Sequence, residues 1–181
     1  MKNFSLFIFL LMLPFQALEA QELWFKIDKV HQGFSAFFPE RPSEATNSMD
    51  TEIGMIEQEI FYLNNEEGPV YFFQINYIEY PESTIHSDSL ELMEEFFEET
   101  INTATAEMKG TLVYSSDIEE QGFKGKMYRI DYKADRFTLK AKTFVVRNRY
   151  YSVQVIHEKG KDYRVVDRFL DGFRIIPVQD N

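Results

Sequence analysis

The sequence predicts an α+β domain in which strands carry most of the chain and helices the remainder. Three observations point there. Apolar and polar residues alternate with a period of two through much of residues 23–80 and 111–157, as in half-buried strands. Between those blocks Leu90, Met93, Phe97, Ile101, Ala104 and Met108 recur at three- and four-residue steps, the period of a helix. All ten tyrosines and fourteen phenylalanines lie beyond residue 20, and aromatic side chains fit pleated surfaces.

Taken in order, residues 1–20 read as an export signal. Lys2 supplies the positive start, Phe4 to Phe15 a short apolar core, and Ala17-Leu18-Glu19-Ala20 the cleavage region before Gln21. The apolar run is broken by Pro14 and is shorter than the roughly 20 residues of a membrane-spanning helix, so removal is expected. Residues 21–181 then form a single domain, since no repeat, low-complexity tract or linker interrupts them. Leu23 to Ile27 and Phe34 to Phe38 read as short strands, the second stopped by Pro39, and Glu40 to Asp50 as a polar connection. Ile53 to Leu63 and Val70 to Tyr80 flank the turn-rich Asn64 to Pro69, which makes an antiparallel hairpin.

The long helix follows Pro81. Asp88 and Glu91 have capping-box spacing at its start, and Gly110 is the expected stop. Strands return at Thr111 to Glu119, Lys126 to Lys133, Arg136 to Val146 and Tyr150 to His157. With Ala134-Asp135 as a two-residue turn, Tyr128, Ile130 and Tyr132 oppose Ala141, Leu139 and Phe137 on one face. The other face pairs Arg129 with Lys140 and Met127 with Lys142, and one register of the next hairpin adds Phe144 and Val146 to it. Asp162 to Asp171 closes the chain as a short helix, ended by Gly172 and followed by the apolar Phe173 to Ile176.

Charge narrows the partners. The net charge is -11, and it is bipolar: Glu79 to Glu120 carries twelve acids against Lys109, whereas Lys124 to Arg149 carries nine bases against Asp131 and Asp135. An acidic total repels nucleic acid and anionic membrane surfaces at long range, while a local basic face still attracts an anion at short range. No second long apolar run follows the signal, so no transmembrane segment is expected after its removal. The absence of cysteine excludes disulfides, haem thioether links and a lipidated cysteine as the first mature residue.

No residue pattern selects a catalytic, cofactor or metal site. His31, His86 and His157 stand without a second histidine at metal-ligand spacing and read as surface or capping residues. Asp131 and Asp135 are compatible with an acid and base pair, but beside Arg136 they read more simply as turn and charge-balancing residues. Gly122-Phe123-Lys124-Gly125-Lys126 lacks phosphate-loop spacing and reads as a bulge or tight bend. The carboxylates Glu91, Glu94, Glu95, Glu98 and Glu99 read as a solvated helix face.

Four segments carry a resemblance. Phe34-Ser35-Ala36-Phe37-Phe38-Pro39-Glu40-Arg41-Pro42, Gly122-Phe123-Lys124-Gly125, Arg149-Tyr150-Tyr151-Ser152-Val153-Gln154-Val155 and Phe169-Leu170-Asp171-Gly172-Phe173-Arg174-Ile175 occur in the order seen in small exported bacterial proteins of the PsbP-like fold. The resemblance implies an antiparallel β-sheet flanked by helices, an α/β/α sandwich, used as an accessory or interaction module. It carries no metal-site or partner-binding residue onto this chain.

The expected function is therefore an extracytoplasmic, non-catalytic binding or accessory protein, periplasmic or secreted, whose partner is an envelope or extracellular protein. Arg129, Lys133, Lys140 and Lys142 are its candidate anion or partner face. Two alternatives stay open. Phe72, Phe73, Tyr77, Phe96 and Phe97 between helix and sheet would suit a carrier of a small hydrophobic ligand, and an active site assembled from scattered residues would leave no sequence motif.

Overall fold

Most of the predicted strands form because their alternation gives each an apolar side to bury, and the order in which they pair is set by one long helix. In the computed structural model the described residues are 23–176 apart from 52, 66, 67, 83 and 162; the segment 1–20, expected from the sequence to be an export signal, lies outside them. The elements are β1 (Phe25–Lys29), β2 (Phe34–Phe38), β3 (Ser43–Thr51), β4 (Gly54–Asn64), β5 (Val70–Glu79), α1 (Leu90–Glu107), β6 (Thr111–Glu120), β7 (Phe123–Tyr132), β8 (Phe137–Val146), β9 (Arg149–Glu158), α2 (Tyr163–Asp171) and β10 (Arg174–Ile175).

Seven strands make one sheet in the order β3-β4-β5-β9-β8-β7-β6, and β1, β2 and β10 make a second, small sheet. Every pairing is antiparallel, and the two helices complete an α+β fold. From β5 the chain must reach the far edge at β6, four strand spacings or roughly 19 Å away. An 18-residue helix spans about 27 Å, enough to cross the intervening strands diagonally. β6 to β9 then return as hairpins to close against β5.

The two sides of the large sheet are covered differently. On one, Phe61, Phe73, Ile75, Tyr77, Phe144, Tyr151, Val153 and Val155 meet α2 through Val166, Phe169 and Leu170, and the small sheet through Phe34, Phe38 and Ile175. On the other, α1 packs in two separate patches. Met93 and Phe97 join Ile56, Ile78, Val145 and Tyr150, whereas Ile101, Ala104 and Met108 join Tyr128, Ile130, Leu139 and Ala141.

Several local expectations change. The polar connection at Glu40 to Asp50 contains β3, an edge strand paired with β4 over its whole length. It is exposed along nearly all of that length, so it has no apolar face to betray it in the sequence. The residue preceding α1 is Ser89, and no side chain caps it. Asp88 stands one residue too early, in a turn where Ser89 N donates to His86 O at 3.0 Å and Asp88 N to His86 Nδ1 at 3.3 Å. At the other end Lys109, at φ 49°, takes the left-handed position expected of glycine. Lys109 N donates to Ala106 O and Gly110 N to Thr105 O, both at 3.0 Å. Gly110 is required instead by crowding, because a Cβ there would lie 2.5 Å from Ile130 Cγ2.

The central hairpin has the expected register. Tyr128 pairs with Ala141, Arg129 with Lys140 and Met127 with Lys142, around Ala134 and Asp135 in left-handed conformation. The next hairpin turns at Arg147-Asn148 with Val146 opposite Arg149, which places Phe144 on the same side as Lys140 and Lys142. That side is the one α2 covers.

Candidate functional site

The four predicted cations do not form an open basic face. Lys142 is 3% exposed and donates to Glu120 and, at 2.8 Å, to Asp171. Lys140 donates to Asp167 at 2.6 Å. Asp167 and Asp171 lie one turn apart on α2, so the helix lays two carboxylates over the sheet cations. Arg129 grips Asp131 with two hydrogen bonds, at 2.8 and 3.0 Å. Lys133 alone of the four is exposed, with its ammonium 5.3 Å from the Phe137 ring centroid.

Asp131 is likewise structural. Burial works to raise its pKa, but hydrogen bonds from Arg129, Lys159 and Thr138 outweigh it and bring it down to about 2. Lys159 also reaches Asp135, at 3.3 Å, so the cations serving these two aspartates are Arg129 and Lys159; Arg136 reaches toward Glu158. His31 is exposed and His86 caps a turn, but His157 is buried, with Nδ1 2.8 Å from Glu158 O. Burial holds its pKa below the ordinary value. No group of three or more metal-ligating side chains occurs among the described residues.

Space is found instead along α1. A cleft of about 880 Å³ lies between α1 and the β6–β7 hairpin, with Met93, Phe97, Ile118, Phe123 and Val145 as its apolar lining. Gln121 and Gly122 turn the hairpin in left-handed conformation. Gly125 must lack a side chain, since a Cβ there would meet Thr143 O at 2.1 Å and Phe144 Cδ1 at 2.7 Å. The glycine-rich segment is therefore a tight turn followed by a close strand contact. Lys126 crosses the cleft, donating to Glu94 of α1 at 2.7 Å and to Asp117 of β6 at 2.5 Å. Burial works to lower the Lys126 pKa, and those hydrogen bonds raise it further than burial lowers it.

A second cavity, of about 460 Å³, opens on the other flank of α1, above β5, β9 and β7. Its lining is mainly amide, phenol and hydroxyl: Gln74, Asn76, Gln154, Tyr80, Tyr128 and Tyr150 are among its walls. Burial pushes the Tyr128 phenol up to about 12, and it raises Tyr150 further.

Strand register explains both spaces. Asn76 pairs with Ser152, Ser152 with Thr143, Thr143 with Lys126 and Lys126 with Asp117, giving one polar row across five strands. That row runs between the two apolar patches under α1, from the second cavity to the cleft. The five aromatic residues expected to line one gap are separated by the same register. Phe73 and Tyr77 belong to the core beneath α2, Phe97 lines the cleft, Phe96 the second cavity, and Phe72 packs with Tyr62.

No protein-family model and no curated protein sequence matches the chain. Among solved structures it aligns with the solution structure of cyanobacterial PsbP (CyanoP) from Synechocystis sp. PCC 6803, at a TM-score of 0.56 and 10% identity, over 85% of this chain and 93% of that one. The fold is PsbP-like. At that identity the likeness is one of fold, and it reaches nearly the whole of CyanoP, so the PsbP-like unit and the described chain coincide closely. A crystal structure from Bacteroides thetaiotaomicron VPI-5482 aligns over 84% of this chain and 48% of its own, at 14% identity and a TM-score of 0.41. Neither cavity was visible in the sequence, because each side chain of the polar row reads as an ordinary outward position of its own strand.

Proposed function

We propose that the protein is exported, loses residues 1–20, and acts outside the cytoplasm as a non-catalytic accessory protein that binds its target at the cleft between α1 and the β6–β7 hairpin. The cleft carries this reading. It joins an apolar wall to a polar mouth held by Glu94, Lys126 and Asp117, the composition of a recognition site. The PsbP-like fold supports an accessory role by analogy. Of the titratable groups weighed for chemistry, Asp131 is held by three donors and His157 is buried.

A photo-crosslinking residue at Lys124, on the cleft lining, tests the proposal in the native envelope or culture medium. One protein partner should crosslink at that position, and a second crosslinker at exposed Lys133 should capture it far less. Equal capture at both positions would remove the cleft from the account. N-terminal sequencing of the same material should begin at Gln21, and an intact Met1 on a membrane-embedded product would refute export with cleavage.

The apolar lining of the cleft also favours a carrier of a small hydrophobic ligand. Native mass spectrometry separates the two readings. A carrier retains a small-molecule mass that Phe97→Ala releases, whereas the accessory protein flies empty and is recovered with its partner.

A further inference from the structure

The second cavity has a chemistry of its own. Its sheet wall is made by Gln74 and Asn76 of β5, Gln154 of β9 and Tyr128 of β7; Phe96 projects from α1 beside Tyr80 and Tyr150. Gln74 donates to Asn76 Oδ1, and Gln154 donates to Ser152 Oγ at 2.8 Å. The Tyr128 hydroxyl is shielded from solvent beneath the cavity, beside Ser152, so it supports the wall and does not reach into it. The acceptor oxygens of the half-buried Gln74 and Gln154 and the amide donors of Asn76 are left to meet water or a bound molecule.

Charge and shape select its class. No Lys, Arg or His lines the cavity, so an anion has no counter-charge there. Its carboxylates, Glu99 and Glu107, sit on the exposed side of α1 at the mouth, where water satisfies them, so a cation gains little. A neutral molecule rich in donors and acceptors is left. Phe96 meets Tyr80 edge-on at 5.8 Å and Tyr150 at 5.3 Å, forming an aromatic corner against which a flat C–H surface can rest. Sugar rings combine such a surface with a rim of hydroxyls, and about 460 Å³ falls within the usual range of small-molecule sites.

We propose that this cavity binds a neutral saccharide, with one sugar ring against Phe96 and Tyr150 and its hydroxyls on Gln74, Asn76 and Gln154. The inference does not depend on the cleft or on its partner.

The test uses the whole mature chain on a panel of neutral mono- to hexasaccharides, followed by calorimetric titration and NMR of the best binder. Binding should shift the resonances of Asn76, Gln154 and residues 96–107 and leave Gly122 to Lys126 unmoved. Gln154→Leu removes the amide at a half-buried position, so it should weaken binding by about tenfold or more with melting temperature held. Phe96→Ala, also half-buried, should weaken binding comparably. No binding across the panel at millimolar sugar overturns the proposal. So does binding left intact by both substitutions, or a fatty acid or tetramethylammonium occupying this cavity where no sugar does.

Discussion

The two faces of the large sheet are built from the same strands, yet one is sealed and the other divided. Beneath α2 and the small sheet, eighteen buried residues form one continuous core, with rings such as Phe38, Phe73 and Phe169 at centroid distances near 5 Å. Beneath α1 the apolar contacts split into groups of seven and five buried residues, separated by the row from Asn76 to Asp117. A single helix cannot cover a sheet as broad as this one, and the strands it leaves uncovered border the two cavities. The difference teaches that the continuous core and the open cavities lie on opposite faces. The cations suspected of recognition lie on the sealed one.

The largest effect that would break this contrast is loss of a ring from the sealed face. Phe169→Ala, at a fully buried position, should cost about 3 to 5 kcal/mol in chemical denaturation. Phe97→Ala should stay at or below about 3 kcal/mol, because one side of Phe97 already borders open space. Equal costs would mean that the two faces are packed alike.

Next in size is the buried lysine. Lys142→Ala leaves Glu120 and Asp171 unpaired, but both carboxylates are partly in water, so about 1 to 3 kcal/mol should be lost. Lys142→Met, which keeps the packed stem and drops the charge, should recover most of that loss. If Lys142→Ala were neutral by thermal melting, α2 would not be held by these pairs.

Gly125→Ala sharpens the comparison at the β7–β8 contact, where Gly125 borders the cleft and lies against Phe144 of the sealed face. A methyl group there collides with backbone, Thr143 O, and should cost about 1 to 3 kcal/mol while reducing occupancy of the cleft. An unaffected melting curve would mean that β7 and β8 separate more easily than their spacing suggests.

Acid provides a smaller, graded probe of the sealed face. His157 has its pKa lowered by burial, so the unfolded chain binds its proton first and stability should begin to fall below about pH 6.5. Asp131 has a depressed pKa, so its contribution is complete above about pH 4 and is lost as pH falls toward about 2. Asp131→Asn should flatten the lower limb of the stability curve and leave the upper limb in place. An unchanged lower limb would show that the Arg129–Asp131–Lys159 cluster does not stabilise the fold. Smallest of all, Lys133→Ala and Glu95→Ala should each lie within about 0.5 kcal/mol, since both side chains are exposed.

Sequence alone determined the elements whose signal is local. The period of α1, the strands with an apolar side, the Tyr128–Ala141 register and the α+β class all follow from spacing and turn chemistry within short windows of chain. What had no local signal went unseen. β3 is an exposed edge strand held by backbone pairing alone, and the left-handed Lys109 stands where glycine was expected. Tertiary structure decided the rest, because it depends on which strands become neighbours. The order β5-β9-β8-β7-β6 lines up Asn76, Ser152, Thr143, Lys126 and Asp117, residues as much as 76 positions apart, into one polar row. The same folding swings α2 over the sheet and sets Asp167 and Asp171 on Lys140 and Lys142. The charge of a residue is written in the sequence, but whether that charge faces water or a partner within the chain is fixed only when distant segments pack together.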